Sequence, residues 1–154
     1  MNTKILGAFA AVALLAACAE QTTTAAGGGA TSQGIVPGSQ EDLVANVGDR
    51  VFYDFNKSVV TKAGQDTLAK QAAWLAKYPN NNVQIAGNCD ERGTTEYNLA
   101  LGKRRANAAV AYLKAKGVAA ARMTSISYGK DRPTATGSNE QAWAQNRNAI
   151  TSVR

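Results

Sequence analysis

The sequence predicts an α+β domain in which two long helices pack on one mixed four-stranded β-sheet, preceded by a signal peptide and a flexible tether. Short β-branched or aromatic runs alternate with longer runs whose apolar residues repeat at i, i+4 and i+7, the mark of a helix with one buried face. Gly, Pro and Asn fall between these runs, where chain reversals are needed. The first 42 residues show neither pattern, so the domain is expected over 43–154, a size that suits one core.

At the start, Lys4 is the only charged side chain before Cys18, and an apolar run extends from Ile5 to Ala17. That run is well short of the roughly 20 residues a helix needs to cross a bilayer, so residues 1–17 read as a signal peptide. Leu15-Ala16-Ala17-Cys18 resembles the bacterial lipobox, which implies cleavage before Cys18 and lipid on its sulfur. More than one acyl chain would be needed for stable anchoring. Residues 18–42 are then the lipidated cysteine and a linker of Ala, Gly, Ser, Thr and Gln, including Thr22-Thr23-Thr24 and Gly27-Gly28-Gly29. Such a composition has little to bury, and a coil of that length spans roughly 25–30 Å.

Within the domain, Val51 to Phe55 reads as the first strand and Thr61 to Tyr78 as the first long helix, with Leu68, Ala72 and Leu75 on its buried face. Pro79 and Asn80-Asn81-Asn82 end that helix. Val83 to Ala86 is a second strand running into Gly87. The second long helix carries Leu99, Gly102, Ala106, Ala109 or Val110, and Leu113 in one stripe, with Gly117 as its stop. Met123 to Tyr128 is a third strand, Glu140 to Ala144 a short helix, and Ala149 to Val153 the fourth strand.

The chain has no histidine, which removes the commonest general base and the commonest neutral metal ligand. It has two cysteines, and with Cys18 lipidated Cys89 has no partner within the chain. No metal site, cofactor or catalytic set is expected. The formal charge of +6 includes Lys4. A basic excess favours anionic partners, but export makes nucleic acid the wrong one and leaves the anionic polymers of the envelope.

The chemistry concentrates between Gly87 and Asn107, where a strand end leads into a polar glycine-containing loop and then a cationic helix. In that arrangement Asp90 and Arg105 can converge, and together they suit a zwitterion. The carboxylate takes an ammonium, and the guanidinium takes a carboxylate through two parallel hydrogen bonds. On residue types alone, a structural salt bridge is the commoner outcome for any Asp and Arg. Glu91, Arg92 and Glu96 read as a solvated, locally paired loop, and Cys89 as a small buried hydrophobe.

Residues 51–153 resemble the OmpA-like domain family. The resemblance rests on Phe55, the Gly87 to Asp90 turn, Asp90-Glu91-Arg92-Gly93-Thr94, Glu96-Tyr97-Asn98, Leu101-Gly102, Arg104-Arg105-Ala106-Asn107, Ser127-Tyr128-Gly129-Lys130, Pro133 and Asn146-Arg147. It implies non-covalent recognition of the peptidoglycan stem peptide, centred on the amine and carboxylate of its diaminopimelate residue. By the same resemblance Asp90 and Arg105 contact that group, Leu101 and Phe55 shape the pocket, and Asn98 braces the loop. The chain departs from the family at Asn88, often histidine, and at Asn56, often aspartate, a position that also borders the ligand. For the lipid-anchored members, the resemblance further implies an outer-membrane location on the periplasmic face, a role in the Tol system and the propeller protein TolB as partner. Ala19 after the cysteine agrees with outward sorting, since aspartate there is the usual inner-membrane retention signal. The competing expectation is a hydrolase of the same polymer, which would need a nucleophile with a base, a metal, or opposed carboxylates such as Glu91 and Glu96.

Overall fold

The computed structural model describes residues 34–154, so the signal peptide 1–17, Cys18 and the linker up to residue 33 lie outside the described residues. In chain order the domain comprises α1 (Gln40–Asp42), which runs into a π-helical turn (Leu43–Val47), β1 (Arg50–Phe52) and α2 (Lys62–Lys77). There follow β2 (Val83–Asn88), α3 (Thr95–Ala115), a 3₁₀ turn (Ala120–Arg122), β3 (Met123–Gly129), α4 (Glu140–Asn146) and β4 (Asn148–Val153). The sheet order is β1-β4-β2-β3, with β4 antiparallel to both neighbours and β2 parallel to β3. The mixed four-stranded sheet with two long helices is the architecture the sequence predicts.

Local chemistry sets the helix ends. The Thr61 hydroxyl accepts from the Gly64 N–H at 3.1 Å and the Thr94 hydroxyl from the Tyr97 N–H at 3.2 Å, satisfying donors that the first turns leave free. At the other end of α2 the Arg122 guanidinium donates to the carbonyls of Leu75, Tyr78 and Asn81 at 2.8–3.1 Å. Gly117, at φ +95°, turns the chain out of α3 in a backbone conformation that costs glycine nothing. Leu68, Ala72 and Leu75 of α2 and Ala106, Ala109 and Leu113 of α3 meet Val51, Val83, Ile85, Met123 and Ala149 of the sheet in one core. Each fully buried leucine there contributes about 1.5–3 kcal/mol relative to exposure.

Three expectations change. Gly38 to Asp42, assigned to the linker, are docked on the domain. Asp42 is buried and accepts from the Gly38 N–H, the Asn46 amide and the Trp74 indole at 2.7, 2.7 and 2.9 Å, while Asn81 donates to the Gly38 carbonyl at 2.7 Å. These polar anchors left no periodic apolar signal. The first strand ends at Phe52 rather than Phe55, because Asn56 adopts φ +57° and the Lys57 N–H bonds the Asp54 carbonyl, so the chain turns off the sheet. Leu99 is 39% exposed although it continues the helical stripe, since it lies over Gly129, where the edge strand β3 ends.

Candidate functional site

The site is built where α3 touches β2. Neither Gly87 nor Gly102 could carry a side chain, since a Cβ on Gly87 would lie 1.8 Å from the Gly102 carbonyl oxygen and one on Gly102 would lie 2.7 Å from the Gly87 oxygen. This backbone-to-backbone approach brings the next turn of α3, with Leu101 and Arg105, to the end of β2.

Arg105 is 1% exposed. Its guanidinium donates to the carbonyls of Lys57 at 2.8 Å, Asn88 at 2.8 Å and Asp54 at 3.1 Å, so one side chain ties the turn after β1 to the end of β2. The Tyr53 hydroxyl donates to the Arg105 carbonyl at 2.9 Å and its ring lies beside the guanidinium. Burial pushes the Arg105 guanidinium down from its usual range, against the pull of Cys89, Asp90 and Tyr53. An arginine remains charged under such a shift, and two of its five N–H donors have no bond among the described residues.

Asp90 is 4% exposed. Arg92 grips it with a fork, Nε to Oδ1 at 3.1 Å and Nη2 to Oδ2 at 2.7 Å, and adds its backbone N–H to Oδ1 at 3.1 Å. Arg147 donates to Oδ2 at 3.4 Å. Burial pushes the Asp90 carboxyl up, but the bonds from Arg92 and Arg147 together outweigh it and hold the group below its usual range. Arg92 is itself stacked, with its Cζ 4.0 Å from the ring centres of both Phe55 and Trp143. Trp143 comes from α4 and donates its indole N–H to Glu91 at 3.0 Å. Arg147 is fixed by the Tyr53 carbonyl at 3.1 Å and by Glu140 at 2.6 Å.

Asp90 and Arg105 therefore line one cleft but do not bond each other. The ion pairs of Asp90 go to Arg92, expected in a solvated loop, and to Arg147, named only within a family motif and with no role at the site. The cleft, a cavity of about 300 Å³, brings together all six residues expected at the site: Phe55, Asn56, Asp90, Asn98, Leu101 and Arg105. Asn98 is buried and donates to the carbonyls of Arg92 and Thr94 at 2.8 and 3.0 Å, so it braces the loop. The Tyr97 hydroxyl bonds the Asn56 side chain across the mouth. Arg92 is more than solvated loop: its stacked guanidinium forms one wall. The Arg92 to Asp90 spacing of two residues is visible in the sequence, but the Phe55 and Trp143 rings that clamp it are separated by most of the domain.

The other departure from the family, Asn88, is buried on the far side of β2. Its amide donates to Asn148 at 2.8 Å and to the Ala86 carbonyl at 3.3 Å, while its backbone carbonyl receives Arg105. Cys89 is buried, donates to the Asn98 carbonyl at 3.3 Å, and has its thiol pushed up by burial, which makes it a poor nucleophile. Among the described residues no three His, Cys, Asp or Glu side chains gather as a metal cluster, and no helix is long and apolar enough to cross a membrane.

The fold and this cleft define a small α+β domain whose pocket is lined by a carboxylate and a guanidinium. Residues 52–147 match the OmpA family model, and the chain belongs to the OmpA family. It is similar to a peptidoglycan-associated lipoprotein of Rhizobium meliloti (strain 1021), 53% identical over 115 residues that cover 75% of this chain and 65% of that protein. The chain thus spans just under two thirds of that relative's length. A protein of the same description from Pasteurella multocida (strain Pm70) is 39% identical over 150 residues, 96% of this chain and 95% of that protein. Among solved structures, the peptidoglycan-associated lipoprotein of Burkholderia pseudomallei matches with a TM-score of 0.67 and 42% identity over 69% of this chain and 90% of that one. The C-terminal domain of Helicobacter pylori MotB shares the fold alone, with a TM-score of 0.63 at 17% identity.

Proposed function

We propose that this domain binds the peptidoglycan stem peptide without cleaving it, taking the ammonium and carboxylate of diaminopimelate between Asp90 and Arg105. The observation that carries this reading is the pairing, in one cleft, of a buried carboxylate held ionised and a buried guanidinium with two donors to spare. Phe55 and Leu101 supply apolar wall, Asn98 braces the loop, and Asn56, already engaged by Tyr97, contributes a neutral edge where a carboxylate would add attraction for the amine. The names of the relatives from Rhizobium and Pasteurella support the same ligand class.

With lipid on Cys18 in the outer membrane and this grip on the wall, the chain acts as a reversible link between the two layers, facing the periplasm. TolB and the Tol system are the partners this reading expects, in support of envelope integrity and constriction at division. Catalysis has no place in it, because the cleft offers no activated nucleophile: Cys89 is buried with its thiol pushed up, and Asp90 is saturated by arginines.

Co-sedimentation of the mature chain with purified sacculi tests the proposal. Asp90→Asn, which keeps the shape and removes the charge, is expected to weaken binding by about 2–5 kcal/mol, roughly 30-fold to several-thousand-fold. Unchanged binding would overturn the site. Release of soluble muropeptides by the wild-type chain would overturn the non-catalytic reading.

A further inference from the structure

The two oxygens of Asp90 are already full with donors from the domain itself. Oδ1 accepts the backbone N–H and Nε of Arg92, both at 3.1 Å, and Oδ2 accepts Arg92 Nη2 at 2.7 Å and Arg147 Nη1 at 3.4 Å. A carboxylate offers about four acceptor positions. An incoming ammonium therefore has to replace a donor rather than join the others.

The two arginines are not equally replaceable. Arg147 is 6% exposed and is pinned from two further directions by the Tyr53 carbonyl and Glu140. The Arg92 side chain is 32% exposed, and among the described residues it is held, besides Asp90, only by the Phe55 and Trp143 rings, with Glu140 Oε2 at 4.0 Å. Both rings lie against its guanidinium while it bonds Asp90, and Glu140 offers a second anion beside the slot.

We propose that Arg92 is a resident cation of the cleft, occupying the place on Asp90 that the ligand's ammonium must take, so that the site binds by exchange and selects for a zwitterion. This rests on the ligand class proposed above. Replacing guanidinium by ammonium on Asp90 swaps one cation for another at that carboxylate, so the swap alone gives little net attraction. The gain comes from the ligand's carboxylate, which meets the two spare N–H donors of Arg105 and the fork of Arg92 released beside it. A ligand whose side-chain amine has no carboxylate on the same carbon, such as a lysine-type stem peptide, displaces Arg92 and receives nothing in return. Selectivity for diaminopimelate over lysine is then set by Arg92 and its two rings as well as by the residues that touch the ligand.

Titration of the mature chain with a diaminopimelate stem tripeptide and with its lysine counterpart tests the exchange, with a thermal melt of each variant. The wild type is expected to prefer the diaminopimelate peptide by at least about tenfold. In Arg92→Ala the vacated Asp90 should take the lysine peptide about tenfold or more tightly than the wild type does, narrowing the preference. Trp143→Leu, which loosens the stack, should shift it the same way by less. If Arg92→Ala fails to fold, Arg92→Lys, which keeps the charge and loses the fork, must still move lysine-peptide affinity upward. Weaker or unchanged lysine-peptide binding in the folded variant overturns the exchange and leaves the ligand assignment standing. A wild-type chain that binds neither peptide overturns the ligand assignment, and the exchange with it.

Discussion

Arg105→Ala should unfold the domain more readily as well as empty its cleft. The side chain donates to three carbonyls, and hydrogen bonds to a charged group are worth about 1.5–3 kcal/mol each. The sum overstates the loss, because Asp54 and Lys57 are exposed and water can reach their carbonyls once the turn frays. Asn88, 3% exposed, has no such relief. The net cost is about 3–5 kcal/mol, close to that of breaking a buried charged contact. For a folded unit of about 120 residues, that lowers the melting temperature by roughly 12–20 °C. Arg105→Lys reaches at most part of the set and should lose about half as much. Thermal and urea denaturation followed by circular dichroism, beside sacculus sedimentation at about 10 °C, separates folding from binding. If Arg105→Ala lost binding with its melting temperature within about 2 °C of the wild type, Arg105 would be a ligand contact alone and the clamp described above would be wrong.

Gly87→Ala should cost about 3 kcal/mol or more, since its Cβ would meet backbone that cannot rotate aside, whereas Gly117→Ala, strained at φ +95° but in open space, should cost only about 1 kcal/mol. Paired denaturation curves check the contrast. Asp42 is pushed down from about 3.8 to about 2 by bonds from the Gly38 N–H, Asn46 and Trp74. A carboxylate depressed in the fold stabilises above its unfolded value and loses that contribution as pH falls through the folded one, so the melting temperature should decline between about pH 4 and pH 2. Asp42→Asn should lower it at neutral pH and make that acid limb shallower.

Much of the architecture was legible because it rests on local rules. Helical apolar spacing and short β-branched or aromatic runs placed both long helices and four strands, and Thr61, Pro79 and Gly117 marked ends that the backbone requires. The docked segment around Asp42 was invisible, since it is held by polar bonds to Trp74 and Asn81, far along the chain. Of Ala109 and Val110, only packing could place the first in the core and leave the second at its border.

The six site residues were likewise named from the resemblance and from residue chemistry, and they do line one cleft. What their side chains do within it was not legible. Asp90 and Arg105 suit each other as charges, yet Arg105 spends its bonds on carbonyls of two distant turns and Asp90 is taken by Arg92 and Arg147. Opposite charge fixes which groups attract; which of several cations a carboxylate holds depends on distances and on what else fixes each partner. The sequence by itself determined the elements, the charge and the residue types of the cleft, because these follow from composition and spacing. Only the tertiary structure decided that Phe55 and Trp143 clamp Arg92 on Asp90, because that slot is assembled from the turn after β1, the loop after β2 and helix α4, three segments that meet only once the chain has folded.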